Sequence, residues 1–290
     1  MNTSGPPPPD ESRGSSLIVS SAILHGFSLP IVAARLWTRA WPRNRLAWDD
    51  YSILGAVAFD LSFWILVLLA VRHGLGRPSV YVPSDDQPKA RAFLYFAQHA
   101  SGWAVAFAKL SIACMLFRLR GDSRAWRIFL LAMMILPLGI AAVTSGGLFS
   151  ACRPLQAMWD YTTPNPVCLP ETTISKLILT TALITVATDL ILALLPLTFI
   201  VHMNKTLREK ILLISLMGLG LIASAASICK IVNVTSKSLT GDALQDGVDV
   251  TFWGLLEIQL GIIAACVPCL KRFVERMLHR LGLLSSNTPT

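Results

Sequence analysis

The chain has 290 residues, of which 53% are hydrophobic and only 14% charged, with a mean hydropathy of +0.58. Ordinary soluble domains carry roughly 25% charged residues, so a soluble fold is excluded: a core of this size cannot hide so much apolar surface. The formal net charge of +8 falls in short basic clusters between apolar runs, the pattern of a positive-inside bias, and this excludes a nucleic-acid-binding face.

Residues 1–16 are polar, with four consecutive prolines from Pro6 to Pro9 and no basic n-region. They are predicted to form a disordered tail and not a signal peptide. Apolar runs follow over 17–37, 51–71, 92–119, 126–151, 174–201, 211–234 and 251–270, each long enough to cross a hydrocarbon core roughly 30 Å thick. The fold class expected is therefore all-α: a polytopic seven-transmembrane-helix bundle over 17–273 with a short tail over 274–290. The last run, TFWGLLEIQLGIIAACVPCLKRF, contains one acid, Glu257. Its charge would cost roughly 2.5 to 3.5 kcal/mol at a bilayer centre if it faced lipid, so it is predicted to face protein. No lysine lies between Thr251 and Leu270, so the amine that forms a retinal Schiff base in a last helix is absent.

Basic residues choose the orientation. One side of the bundle carries 14 Lys and Arg, including Arg39, Arg43 and Arg45, Arg118 to Arg127, Lys205 to Lys210, and Lys271 to Arg280; the other carries 8. The richer side is expected in the cytosol, placing the N-terminus outside and the C-terminus inside, in the plasma membrane or an endomembrane. Cys152 and Cys168 bracket the fourth-to-fifth link, CRPLQAMWDYTTPNPVC. On the outer side a disulfide persists, and a bridge there would turn the link into a lid over the bundle's mouth. Cys266 and Cys269 form a CVPC pair on the reducing side, where packing or palmitoylation is expected and no zinc site.

Apart from Arg118, Arg127 and Lys176 at their ends, the runs contain six charges: Arg35, Asp60, Lys109, Asp189, Lys230 and Glu257. At 1.5 Å per residue, Lys230 and Glu257 each lie roughly 9 Å below the outer ends of their runs, so they can meet. Lys109 and Asp189 lie roughly 26 and 22 Å down and form a second expected ion pair. His99 shares the outer layer, with Tyr95 and Trp103 one turn away on either side, and Trp253 precedes Glu257 by one turn. Tyr95, His99, Trp103, Lys230, Asn233, Trp253 and Glu257 are thus the expected lining of an outward-opening pocket for a small lipophilic molecule. The plainer reading is that the charges only pair and fix helix packing. Trp37, Trp41, Trp48 and Trp126 read as interfacial anchors.

Soluble-enzyme signatures such as GxSxG, a P-loop, HExxH and GxGxxG are absent, and no metal or cofactor is expected. Asp49 and Asp50 read as a cap for the second helix. The stretches WDDYSILGA, AKLSIACMLFRL, CRPLQAMWD with its later cysteine, TDLILALLPL and EIQLGIIAACVPCLKRF together resemble the fungal rhodopsin-domain integral membrane proteins, the SAT4 family, which includes Pth11-like receptor-type proteins. The resemblance spans Ala22 to Phe273. It implies a receptor-like or sensing role without light absorption, with a cytosolic protein partner at the basic loops. Because some members sit in secondary-metabolite gene clusters, it also implies an alternative: a membrane-embedded cyclase or isomerase acting by acid–base catalysis, with Glu257, His99 and Asp60 as candidate catalytic groups. Transport is disfavoured, as no inverted repeat or pair of broken helices is visible.

Overall fold

A computed structural model describes residues 12–40, 47–119, 124–202, 207–237 and 242–280. Seven long helices account for most of them: α1 (Gly14–Ala40), α2 (Trp48–Arg72), α3 (Gln87–Leu119), α4 (Arg124–Phe149), α5 (Glu171–His202), α6 (Leu207–Lys237) and α7 (Ala243–Arg280). All seven contain segments long and apolar enough to cross a membrane. Helix is the only economical choice for such sequences, because every backbone polar group in hydrocarbon must be satisfied within its own segment.

Most helix ends lie close to the expected bounds, but α7 differs at both ends. It begins at Ala243, eight residues before the apolar run does, and continues unbroken to Arg280. Asp246 and Asp249 lower the hydropathy of its first two turns without breaking the helix. α1 likewise starts at Gly14, inside the stretch read as tail; residues 1–11 and 281–290 lie outside the described residues.

The helices are not equivalent. In α3 and α7, 67% and 56% of the spanning window is buried, against 17–33% in the other five, which makes α3 and α7 the central pair. α3 packs on α2, α4, α5 and α7, while α7 packs on α1, α2, α3 and α6. Small residues allow this closeness: Ala97, Ala104 and Ala108 on α3 and Ala265 on α7 are buried in the main core with Phe63, Leu255, Ile258 and Ile262. α1 leans chiefly on α7 and only lightly on α2.

One end of the bundle, here the lid end, gathers the start of α1 and the α2–α3, α4–α5 and α6–α7 connections. Gly74 and Gly76 turn the chain after α2 with φ of +106° and +96°, the left-handed region open to glycine. Gly76 donates to Leu244 O and accepts from the Arg13 N–H, both at 3.0 Å, so this turn ties α1 to α7. Asp242 accepts from the Ser79 N–H at 2.8 Å. Over α4 and α5, Cys152–Arg153 (β1) pairs antiparallel with Val167–Cys168 (β2), and the Cys152–Cys168 disulfide joins the directly opposed residues.

At the other end, Asp49 and Asp50 do more than cap α2. Asp50 accepts from the Ala47 N–H at 3.1 Å, as an N-terminal acid does. Both carboxylates are also fully buried and grip Arg35 at 2.7 and 3.1 Å and Arg39 at 2.5 and 2.8 Å. Arg35 donates in addition to Ala265 O of α7. Two acids and two arginines thus neutralise one another where α1, α2 and α7 converge.

Candidate functional site

Behind the lid, α3 to α7 enclose a cavity of about 670 Å³, within the range that holds a small molecule. Its walls are mostly aliphatic, with Val105, Ile140 and Ile178 at mid-depth and Leu148 and Met158 nearer the lid. The absence of a side chain at Gly102 and the small Ala106, Ala141 and Ala182 leave the space open.

Of the expected lining, Tyr95, His99, Lys230, Asn233 and Glu257 face the cavity, whereas Trp103 and Trp253 do not. The stripe argument fails for geometric reasons: each four-residue step turns a further 40° or so around a 3.6-residue helix. Trp103, eight residues from Tyr95, has therefore rotated towards α2, where it stacks with Phe59 at 6.0 Å beside Phe107 at 6.3 Å. On α7 the cavity is lined by Asp246, Val250 and Glu257, while Trp253, one turn before Glu257, is not part of the lining and stands edge-on to Phe252 at 5.9 Å. Asn233 spends its amide on its own helix, donating to Cys229 O at 2.8 Å.

Near the lid, His99 lies 4.5 Å from Phe149 and 4.6 Å from Tyr95, ring to ring, and Tyr95 lies 5.4 Å from Trp159 of the lid. Tyr95 Oη and His99 Nε2 are buried and have no hydrogen-bond partner among the described residues. Arg91 stands over the ring of Tyr161 at 4.7 Å, a cation–π contact that closes the mouth from the side. In the lid, the exposed Asp160 carboxyl is held below its ordinary range by the Thr162 hydroxyl and N–H, at 2.6 and 3.0 Å, and then by the charge of Arg91.

The floor is charged. Lys230 is ion-paired to Glu257, and Lys109 lies 3.0 Å from Asp189; Ser227 links the pairs by donating to Asp189 at 3.3 Å. The depth estimate started α7 at Thr251, so Glu257 in fact lies further from the helix end than supposed. The lysine stem passes Gly254, with Lys230 Cδ 3.9 Å from where a Cβ would stand, an ordinary van der Waals distance. Beneath both pairs is a void of about 40 Å³ lined by Lys109, Asp189 and Glu257, space for about one water.

Asp60 lines neither space and so lies apart from Glu257 and His99, the other two candidate catalytic groups. It is fully buried between α1, α2 and α7, 3.1 Å from His25 Nε2 and 2.9 Å from Gln259 Nε2. His25 and Gln259 went unread in the sequence. His25 also meets Ser21 O at 2.8 Å and stacks on Trp64 at 4.5 Å. The signal that could have found it is the polar stripe Ser21, His25, Ser28 on an otherwise apolar run, at helical spacing. Among the described residues no group of three or more metal-ligating side chains is present.

The sequence carries a match to the fungal rhodopsin domain over residues 34–276. A relative from Gibberella zeae, Fugralins biosynthesis cluster protein 2, is 26% identical over 60% of this chain and 44% of its own length. A SAT4 family membrane protein from Emericella nidulans is 24% identical over 84% of this chain and 62% of its own. Polyenoic acids biosynthesis gene cluster protein Ba17b from Metarhizium anisopliae is 21% identical, over 92% and 76% respectively. The chain therefore spans about half the length of the first two. With seven membrane-crossing helices, a disulfide-bonded link and a family match over most of its length, the chain is a multi-pass membrane protein that belongs to the fungal rhodopsin domain family.

Proposed function

We propose that the chain binds a lipophilic small molecule in the cavity and acts on it by acid–base chemistry, as a membrane-embedded isomerase or cyclase of a fungal secondary-metabolite pathway. One observation carries this reading: an aliphatic chamber ends on the Glu257–Lys230 pair, with one carboxylate oxygen accepting no hydrogen bond among the described residues. A carboxylate enclosed by apolar walls can take a proton from a bound molecule and return it elsewhere on the same molecule, a redox-neutral rearrangement that requires no cofactor. The names of the Gibberella and Metarhizium relatives, both biosynthesis cluster proteins, support a metabolite as the ligand.

A receptor-like reading is favoured by a different observation. α7 runs without a break from the cavity mouth past Glu257 to Arg280, so a ligand held at Glu257 would act on one end of a rod whose other end meets the basic side. A cytosolic partner would bind there, near the Arg118 to Arg127 link, whose centre lies outside the described residues. Deleting the gene and profiling metabolites separates the two. Accumulation of a precursor, restored to product by the intact gene and not by Glu257→Gln, supports the enzyme. An unchanged metabolite flux with an altered transcriptional response supports the receptor.

A further inference from the structure

The two lysines of the floor differ in what they have left to offer. Lys109 Nζ has three protons and three acceptors in place: Thr185 O at 2.9 Å, Thr188 Oγ1 at 3.0 Å and Asp189 Oδ1 at 3.0 Å. It is saturated. Lys230 Nζ bonds among the described residues only to Glu257 Oε2, and its side chain is 23% exposed. Two of its protons are unspent. Glu257 is 3% exposed, and its Oε1 accepts no hydrogen bond among the described residues. The small void below touches Glu257 but not Lys230, so only a group descending the upper cavity can meet both.

From this geometry we infer that the group received at the floor is a hydroxyl, and that the site discriminates against a carboxylate despite its two lysines. The inference rests on the cavity being a ligand site, as proposed above. A hydroxyl donates to Glu257 Oε1 and accepts from Lys230 Nζ, satisfying both. A carboxylate accepts from Lys230 but sets its charge against Glu257 in a low-dielectric setting, and neither lysine has charge to spare because each is already paired. A ketone leaves Oε1 unpaired, and a hydrocarbon leaves both unpaired.

A second polar level limits the shape of the molecule. Gly247 lies against Leu94 and Gly261 against Ala108, the same sequence spacing twice, so α3 and α7 run side by side in register. His99 is then about five residues, roughly 7 Å, closer to the lid than Glu257. With His99 Nε2 and Tyr95 Oη also without a partner among the described residues, the ligand class is an elongated alcohol, apolar along its middle, with a second polar function about 7 Å back from the hydroxyl.

The test uses the full chain in lipid nanodiscs and three photoactivatable probes of one chain length: dodecanol, dodecanoic acid and dodecane, each with the same mid-chain diazirine, at alkaline pH where the acid is ionised. Dodecanol should label cavity peptides of α3, α6 and α7 about tenfold more than dodecanoate, the factor that one unsatisfied buried polar group commands. Lys230→Met with Glu257→Gln should erase the preference. Equal or stronger labelling by the acid, or a preference that survives the double substitution, overturns the hydroxyl assignment while leaving the cavity as a ligand site. No cavity labelling by any probe overturns both. Should the double variant not fold, the alcohol-to-acid ratio on the unaltered chain decides alone.

Discussion

Gln259 of α7 donates its amide to both carboxylate oxygens of Asp60 on α2, at 2.9 and 3.2 Å. The contact crosses the middle of the bundle and includes His25 of α1, 3.1 Å away. Three helices are therefore joined at one buried polar knot outside the cavity. Asp60→Ala leaves two buried partners unpaired inside the bundle, and should lower stability in detergent by about 2 to 4 kcal/mol. Because Asp60 does not line the cavity of about 670 Å³, Asp60→Asn should leave ligand labelling at α3, α6 and α7 unchanged. Loss of labelling in a well-folded Asp60→Asn protein would keep this residue in the catalytic set.

Lys230 and Glu257 should behave as one unit. Breaking one side of a buried pair leaves an unpaired charge costing about 3 to 5 kcal/mol. Glu257→Gln alone should thus be less stable than Glu257→Gln with Lys230→Met, as read by thermal unfolding. If the pair serves only packing, the double variant also regains whatever phenotype the gene supports. If Glu257 moves a proton, folding returns and the phenotype does not. Equal losses in the single and double variants would mean that the two side chains act independently.

Serine at Cys152 or Cys168 should lower heat tolerance by about 2 to 4 kcal/mol, the stabilisation a bridge closing a short loop supplies. Peptide mapping without reductant should recover the two cysteines as one linked species. Two free thiols would contradict the bridge.

The lid should loosen in acid. Asp160 carries a depressed carboxyl pKa because the folded loop stabilises its ionised form. Its contribution is therefore present above the ordinary value of 3.8 and is lost as pH falls through the lower folded value. Amide exchange at Thr162, corrected for intrinsic rate, should be flat from about pH 5 to 8 and rise only in stronger acid. A transition near neutrality would assign the lid's order to another group.

An epitope placed before Leu17 should be reached on intact cells, and one after Arg280 only after permeabilisation. The expectation rests on the 14 to 8 asymmetry of Lys and Arg and seven crossings. Both tags on one side would require an even number of crossings.

The helices were legible because hydrocarbon thickness sets a length that apolar runs either reach or miss. The start of α7 was missed because Asp246 and Asp249 lower the local hydropathy, which does not register that Asp246 faces the cavity within the bundle. Glu257 was legible by cost: an acid in such a run has to find protein. Trp103 was misplaced because spacing by four is only an approximation to a face and drifts over two turns. His25 and Gln259 were overlooked because neither is charged in the sequence count, although a buried neutral amide and imidazole demand partners as firmly as ions do. The Arg35 cluster was half-read, since Asp49 and Asp50 each serve a local role visible in sequence and a long-range one that is not.

The lean of α1 on α7 has a consequence for how the chain is made. α1 finds its main packing partner only when α7, with five helices between them in the chain, has been made. Until then Arg35 has no Ala265 carbonyl, and His25 and Asp60 have no Gln259. A chain stopped before α7 would keep Arg35 paired with Asp49 and Asp50 and His25 with Asp60, and would lack only the neutral partners that fix α1 against the rest of the bundle. Charge is thus settled early between α1 and α2, and position is settled later, by the arrival of α7.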